Sequence, residues 1–212
     1  EQVRNLDRTA IEVFGVEGFE LMRRAGRAAF RQLRRHWDQA RHITVLCGGG
    51  NNGGDGYVIA ALAVQQGLSV RCIAVTDPAR LKGTALRAYE HACDQGVAVE
   101  RAETLGETGF GEALRGTDLV VDSLLGTGLS GDVRAPFDAL INRLNASEVP
   151  VLAIDIPSGL CSDTGRVLGC AIEAAMTVTF IARKAGLYTG KARGQTGPVL
   201  FDALSLDPGG VD

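Results

Sequence analysis

Ile43-Thr-Val-Leu-Cys47, running into Gly48-Gly-Gly-Asn-Asn-Gly-Gly-Asp-Gly56 and then into residues 57–66, is the stretch that decides the fold. The first segment is a short β-branched run with no polar alternation, which reads as a strand buried on both faces. The last has helical apolar spacing and stops at Gly67. Between them lie nine residues, six of them glycine. The order strand, glycine loop, helix opens a βαβ unit with a ligand loop at its first turn.

The same unit recurs downstream. Residues 69–75 read as a strand, 83–95 as a helix stopped by Gly96, and 97–100 as a short third strand. Residues 118–122 form a strand followed by a helix at 135–145, and 150–155 a strand broken by Pro157. Residues 175–182 and 198–202 look like strands with little helix between them. Upstream, 3–10 and 19–36 carry helical spacing, separated by Gly15 and Gly18. Strand alternating with helix implies an α/β fold with a parallel sheet covered on both faces. No linker or repeat interrupts it, so residues 1–212 read as one domain.

Composition narrows the class. An apolar fraction of 45% and a charged fraction of 22% suit a soluble globular chain. Glycine, 28 of 212 residues, is roughly twice the usual share of about 7%. A net charge of −3 argues against nucleic acid as partner, which would leave a basic footprint. The arginines of residues 23–41 read as the solvated face of a helix whose apolar stripe is Leu21, Met22, Ala25, Ala29 and Leu33. The five cysteines are scattered with no CxxC pair, and Cys47 and Cys72 sit in apolar runs. That pattern suits a reducing compartment, hence the cytoplasm. Neither a signal peptide nor an apolar span of about 18 residues appears, so no membrane is expected. The chain starts at Glu1 without methionine and stops just after Pro208-Gly209-Gly210, as a domain trimmed from a longer protein would.

Three strand-end loops carry chemistry. The Gly48–Gly56 segment exposes backbone N–H groups beside a helix N-terminus, a cradle for an anion. It is no Walker loop, because Gly-Lys-Ser/Thr is missing; Asp55 in its place suits a ligand with hydroxyls beside phosphate. The second loop, Gly126-Thr-Gly-Leu-Ser-Gly131-Asp132, holds a literal G-x-G-x-x-G, but after a late strand, and reads as a loop facing the first rather than as a dinucleotide fingerprint. In the third, Asp155-Ile-Pro-Ser-Gly159 closes an apolar strand with a carboxylate and sets Ser158 on a proline-fixed turn. Asp122 also ends a strand. Two carboxylates on neighbouring strands can move protons or hold a cation. Lys184 could reach a phosphate, though a lone lysine more often faces solvent. His36, His42 and His91 lie away from the loops, and G-x-S-x-G is absent.

At these loops the chain resembles the NAD(P)H-hydrate epimerase family, also called the YjeF N-terminal-domain family. The resemblance rests on Leu21-Met22-Arg-Arg-Ala25-Gly26, Asn51-Asn-Gly-Gly-Asp55 and Val121-Asp122-Ser-Leu-Leu-Gly-Thr-Gly128. It continues through Gly131-Asp-Val-Arg-Ala-Pro136, Asp155-Ile-Pro-Ser-Gly159 and Lys184-Ala-Gly-Leu187. It implies a Rossmann-like three-layer α/β/α sandwich with a mostly parallel sheet, and epimerisation of hydrated NADH and NADPH (NADHX and NADPHX). It implies that the hydrate touches Asn51, Asn52, Gly53, Gly54, Asp55, Gly126, Thr127, Gly128, Leu129, Ser130, Gly131, Asp132 and Asp155. It also implies a potassium ion on Asn52, Asp122 and Ser158, a homodimer, and a fused or separate ADP- or ATP-dependent dehydratase as partner. Arg23, Thr84 and Asp202-Ala-Leu depart from the family pattern, all expected at the periphery.

The chemistry that follows is acid–base. C6 of the hydrated ring is a carbinolamine, so protonating its hydroxyl lets N1 expel water and leaves a planar iminium open to water on either face. Asp155 is the preferred proton carrier and Asp122 the second, since a bound cation lowers a carboxylate's basicity. Ring opening and reclosure is an alternative route. Two other functions stay open: a non-catalytic nucleotide-binding or protein-interaction module, and an NAD-dependent dehydrogenase using Gly126 to Gly131.

Overall fold

The structure, a computed structural model, describes residues 17–189 and 192–204. Seven strands form one sheet: β1 (His42–Cys47), β2 (Ser69–Ala74), β3 (Val99–Arg101), β4 (Leu119–Ser123), β5 (Val151–Ile154), β6 (Met176–Phe180) and β7 (Val199–Asp202). Their order is β3-β2-β1-β4-β5-β6-β7, and every pairing is parallel. The helices are α1 (Gly18–His36), α2 (Asn51–Gln65), α3 (Gly83–Asp94), α4 (Ala102–Leu114), α5 (Phe137–Asn145) and the single turn α6 (Arg193–Thr196). The expected α/β/α sandwich is the observed one. The helix expected at residues 3–10 lies outside the described residues.

Because successive strand residues face opposite ways, the apolar runs feed two cores. Val45, Cys47, Val121 and Leu152 pack with α1, α2 and α3, whereas Leu46, Ile73, Val120 and Ala153 pack with α4 and α5. On α1, Leu21, Met22, Ala25, Ala29 and Leu33 are buried as the stripe predicts. Arg23, Arg24 and Arg27 gather on Glu20 at 3.2, 3.5 and 3.8 Å on the outer side. Gly26 lets α1 lie close on α2, since a Cβ there would stand 2.5 Å from Val58 Cγ1.

Two readings of the sequence need correction. The glycine run is not one loop: α2 already begins at Asn51, so only Gly48, Gly49 and Gly50 connect it to β1. Its inner glycines are packing positions. A Cβ on Gly53 would overlap the carbonyl oxygen of Gly48, and one on Gly54 the thioether of Met22. In addition, α4 fills a stretch in which no helix was expected, with a kink at Gly106.

Both sheet edges carry charge. On β3, Glu100 receives two hydrogen bonds from Arg71, at 2.7 and 2.9 Å. On β7, Arg183 lies 5.4 Å above the ring of half-exposed Phe201, and Arg31 reaches Asp202 at 3.1 Å.

Candidate active site

β1 and β4 are neighbours, yet the chain leaves β1 towards β2 on one side and β4 towards β5 on the other. Loops diverge at such a switch point and leave a crevice beyond the strand ends. A cavity of about 770 Å³ lies there, bounded by the loops after β1, β2, β4, β5 and β6 and by one face of α1.

Most of the residues expected to touch a ligand meet in this cavity. Gly50, Asn51 and Asn52 bring the open N-terminus of α2 to its wall, with Asp55 one turn further on. The first N–H groups of a helix have no intrahelical acceptor, so this end offers donors to an anion. Gly126, Thr127, Gly128, Leu129 and Ser130 form the facing wall, and Asp155 the floor at the end of β5. The remaining expected residues do not line it. Gly53 and Gly54 are spent on helix packing, and Gly131 and Asp132 turn out to solvent.

Asn52, Asp122 and Ser158 are joined through the Leu125 peptide. Asn52 Nδ2 donates to the Leu125 carbonyl at 3.1 Å, and Leu125 N–H donates to Ser158 Oγ at 2.8 Å. Ser158 Oγ donates to Asp122 Oδ1 at 2.6 Å and Ser158 N–H to Oδ2 at 2.8 Å. Asp122 is fully buried, and it is not part of the cavity wall. Burial pushes its carboxyl up to about 6, against the lowering effect of the Ser158 and Leu124 hydrogen bonds. Among the described residues only N–H and O–H donors meet Asp122. Asn52 Oδ1 is a buried acceptor with no hydrogen-bond partner. A carboxylate that meets no cationic side chain among the described residues, one orphaned amide oxygen, a hydroxyl and a carbonyl are an oxygen set that fits a hard cation of low charge. Among the described residues no group of three or more His, Cys, Asp and Glu could hold a metal ion.

Asp155 sits differently. Its backbone has φ +67, in the left-handed region that Asp tolerates better than most side chains. Its N–H donates to the Val178 carbonyl at 2.7 Å. Its Oδ1 is paired with Nζ of Lys184, whose side chain is only 2% exposed. The expectation that Lys184 faces solvent or a phosphate is thereby overturned: its three ammonium hydrogens go to Asp155 Oδ1, Thr179 Oγ1 and the Phe180 carbonyl, the last two at 2.9 Å.

The apolar side of the cavity was not foreseen. Leu21, Met22 and Ala25 of α1 turn from core stripe to cavity wall at one end of the helix, and Phe180 and Leu204 join them. Thr84, expected at the periphery, lines the cavity together with Thr76. Thr76 lies two residues past the end of β2, a strand-end position that could have been read in advance.

The fold and the cavity define a Rossmann-like α/β protein with an open cavity at the switch point of the sheet. Residues 18–186 match the sequence profile of the family described as YjeF-related protein N-terminus. The chain belongs to that family. It is 47% identical over 207 residues to the bifunctional NAD(P)H-hydrate repair enzyme Nnr of Coxiella burnetii, covering 97% of this chain and 40% of that protein. It is 43% identical over 207 residues to the Escherichia coli protein of the same name, covering 98% and 39%. The bifunctional NAD(P)H-hydrate repair enzyme of Leishmania braziliensis is 43% identical over 188 residues, covering 88% and 33%. The chain thus spans about two fifths or less of these curated relatives. A crystal structure of yeast ynu0 (YNL200c) superposes with a TM-score of 0.77 over 92% of this chain and 84% of that one at 21% identity, a likeness of fold. Among the described residues no helix is long and apolar enough to cross a membrane.

Proposed function

We propose that this chain carries the epimerase part of an NAD(P)H-hydrate repair enzyme and interconverts the R and S forms of NADHX and NADPHX at C6 of the nicotinamide ring. The observation that carries the reading is the Asp155 carboxylate at the floor of a cavity walled by α2's open end and the Gly126–Ser130 loop. The repair-enzyme relatives named above support it, since the chain matches one part of each.

The backbone of the Gly126–Ser130 loop and the N-terminal N–H groups of α2 would hold the phosphates. The apolar patch of Leu21, Met22 and Phe180 would take a ring. Asp155 would exchange a proton with the C6 hydroxyl: the C6–O bond breaks, its electron pair leaves with oxygen as water, and N1 supplies the pair that makes the iminium. Water returning to either face gives its proton back to Asp155. A carboxylate beside the planar cation also stabilises its charge. Asp122, enclosed by Ser158 and Leu124, serves the cation set rather than the proton transfer.

A potassium ion on Asn52, Asp122 and Ser158 would supply a fixed positive charge behind the Gly126 loop when bound. The same reading extends to a cytoplasmic setting, consistent with five free cysteines, to a homodimer, and to an ADP- or ATP-dependent dehydratase as the fused or separate partner.

The test is direct. Pure R hydrate incubated with the chain and followed by chiral chromatography should equilibrate faster than in buffer alone. Tight binding of the hydrate without acceleration would instead favour a binding module.

A further inference from the structure

We propose that Lys184 is a positioning residue for this chemistry: it grips Oδ1 of Asp155 and so presents Oδ2 to the cavity. The inference rests on the epimerase reading above and concerns the residue that orients its proton carrier.

The Asp155 side chain is 20% exposed and lines the cavity, whereas Lys184 is 2% exposed and does not. Both side-chain contacts of Asp155 fall on Oδ1, from Lys184 Nζ and, at 3.4 Å, from Thr179 Oγ1. Among the described residues no hydrogen bond reaches Oδ2. Lys184 Nζ has its three hydrogens committed to three acceptors, so it has none to offer a substrate. Its influence on the reaction therefore passes through the carboxylate.

The backbone is bent to make this grip possible. Ile181 has φ +63, a conformation that a β-branched residue resists. That bend, placed directly after β6, turns the chain back so that Lys184 reaches the end of β5. A second left-handed residue, Asp155 itself at φ +67, aims the carboxylate from the other side. Two non-glycine residues in the left-handed region on either side of one part-buried ion pair are a costly arrangement where only packing is served, and such outliers gather at functional sites.

Four proteins test the proposal: wild type, Lys184→Met, Asp155→Asn and the double variant, each checked for folding by circular dichroism and assayed for R-to-S conversion. A carboxylate displaced by about 1 Å is expected to lower kcat about 10²-fold in Lys184→Met, with KM changed by less than about twofold. Lys184→Arg, which keeps the charge but not the donor geometry, should fall between. Because Lys184 acts through Asp155, adding Lys184→Met to Asp155→Asn should cost less than about threefold more. An unchanged kcat in Lys184→Met, a loss confined to KM, or losses that multiply in the double variant would overturn the proposal. Should Lys184→Met fail to fold, Thr179→Val carries the test, with an expected loss of about tenfold in kcat; full kcat there overturns it. A wild type that does not accelerate epimerisation sinks the functional reading instead, so the two failures are distinguishable.

Discussion

Ser158 closes over Asp122, giving its backbone N–H to Oδ2 at 2.8 Å and its hydroxyl to Oδ1 at 2.6 Å. The enclosed carboxyl titrates near 6 rather than at 3.8, because burial disfavours its charge more than the hydrogen bonds favour it. A raised carboxyl value means that the folded chain holds this proton more tightly than the unfolded one. The stabilisation is complete at low pH and is lost as pH climbs from the ordinary value to about 6.

In buffers whose only cation is tetramethylammonium, this group should lower the unfolding free energy by roughly 3 kcal/mol between about pH 4 and about pH 7. Asp122→Asn has no such charge, so its stability should fall correspondingly less over that range. Urea titrations of both proteins check the difference; parallel pH profiles would show that Asp122 is not the titrating group.

The orphaned oxygen of Asn52 makes a second prediction. Asn52→Ala gives up the hydrogen bond to Leu125 but also removes an unsatisfied buried acceptor, and the two effects offset to within about 1 kcal/mol. What should disappear is the gain in melting temperature when potassium replaces tetramethylammonium. An equal gain in both proteins would place the cation elsewhere.

Asp155→Asn keeps the shape and hydrogen-bonding reach of the side chain but cannot carry the proton. Its kcat should fall by about 10²–10⁴-fold, while hydrate affinity measured by calorimetry stays within about threefold. Full turnover in this variant would remove Asp155 from the chemistry.

The loop after β1 gives a contrast between adjacent glycines. A methyl on Gly48 would overlap the Leu124 carbonyl, whereas one on Gly50 meets nothing within 4 Å. Gly48→Ala should therefore cost about 3 kcal/mol, and Gly50→Ala under about 0.5 kcal/mol. Denaturant midpoints of the two variants decide it.

The central strands were legible because Ile43-Thr-Val-Leu-Cys47 and the runs at β4 and β5 are buried on both faces and are followed within three residues by glycine or proline. The start of α2 was not, since Gly53, Gly54 and Gly56 look like loop residues by propensity. They are glycine in spite of being helical because neighbouring backbone and side chains leave no space for a Cβ. Helix α4 was hidden for a related reason: Gly106, Gly109 and Gly111 interrupt its pattern, and it bends at the first of them. The switch-point loops were readable as a set of motifs. Lys184 was not, because its role depends on a turn at Ile181 that no local pattern announces.

The edges of the sheet have a consequence for how the protein behaves when concentrated. Bare strands at either rim are templates on which further strands can grow into ribbons. Here one rim is a three-residue strand carrying Glu100 and Arg101, and the other sets a guanidinium over its half-exposed aromatic and ends in an acid held by Arg31. An incoming strand would have to displace Arg183 and desolvate these charges before gaining its first ladder bond, which guards a glycine-rich parallel sheet against runaway stacking.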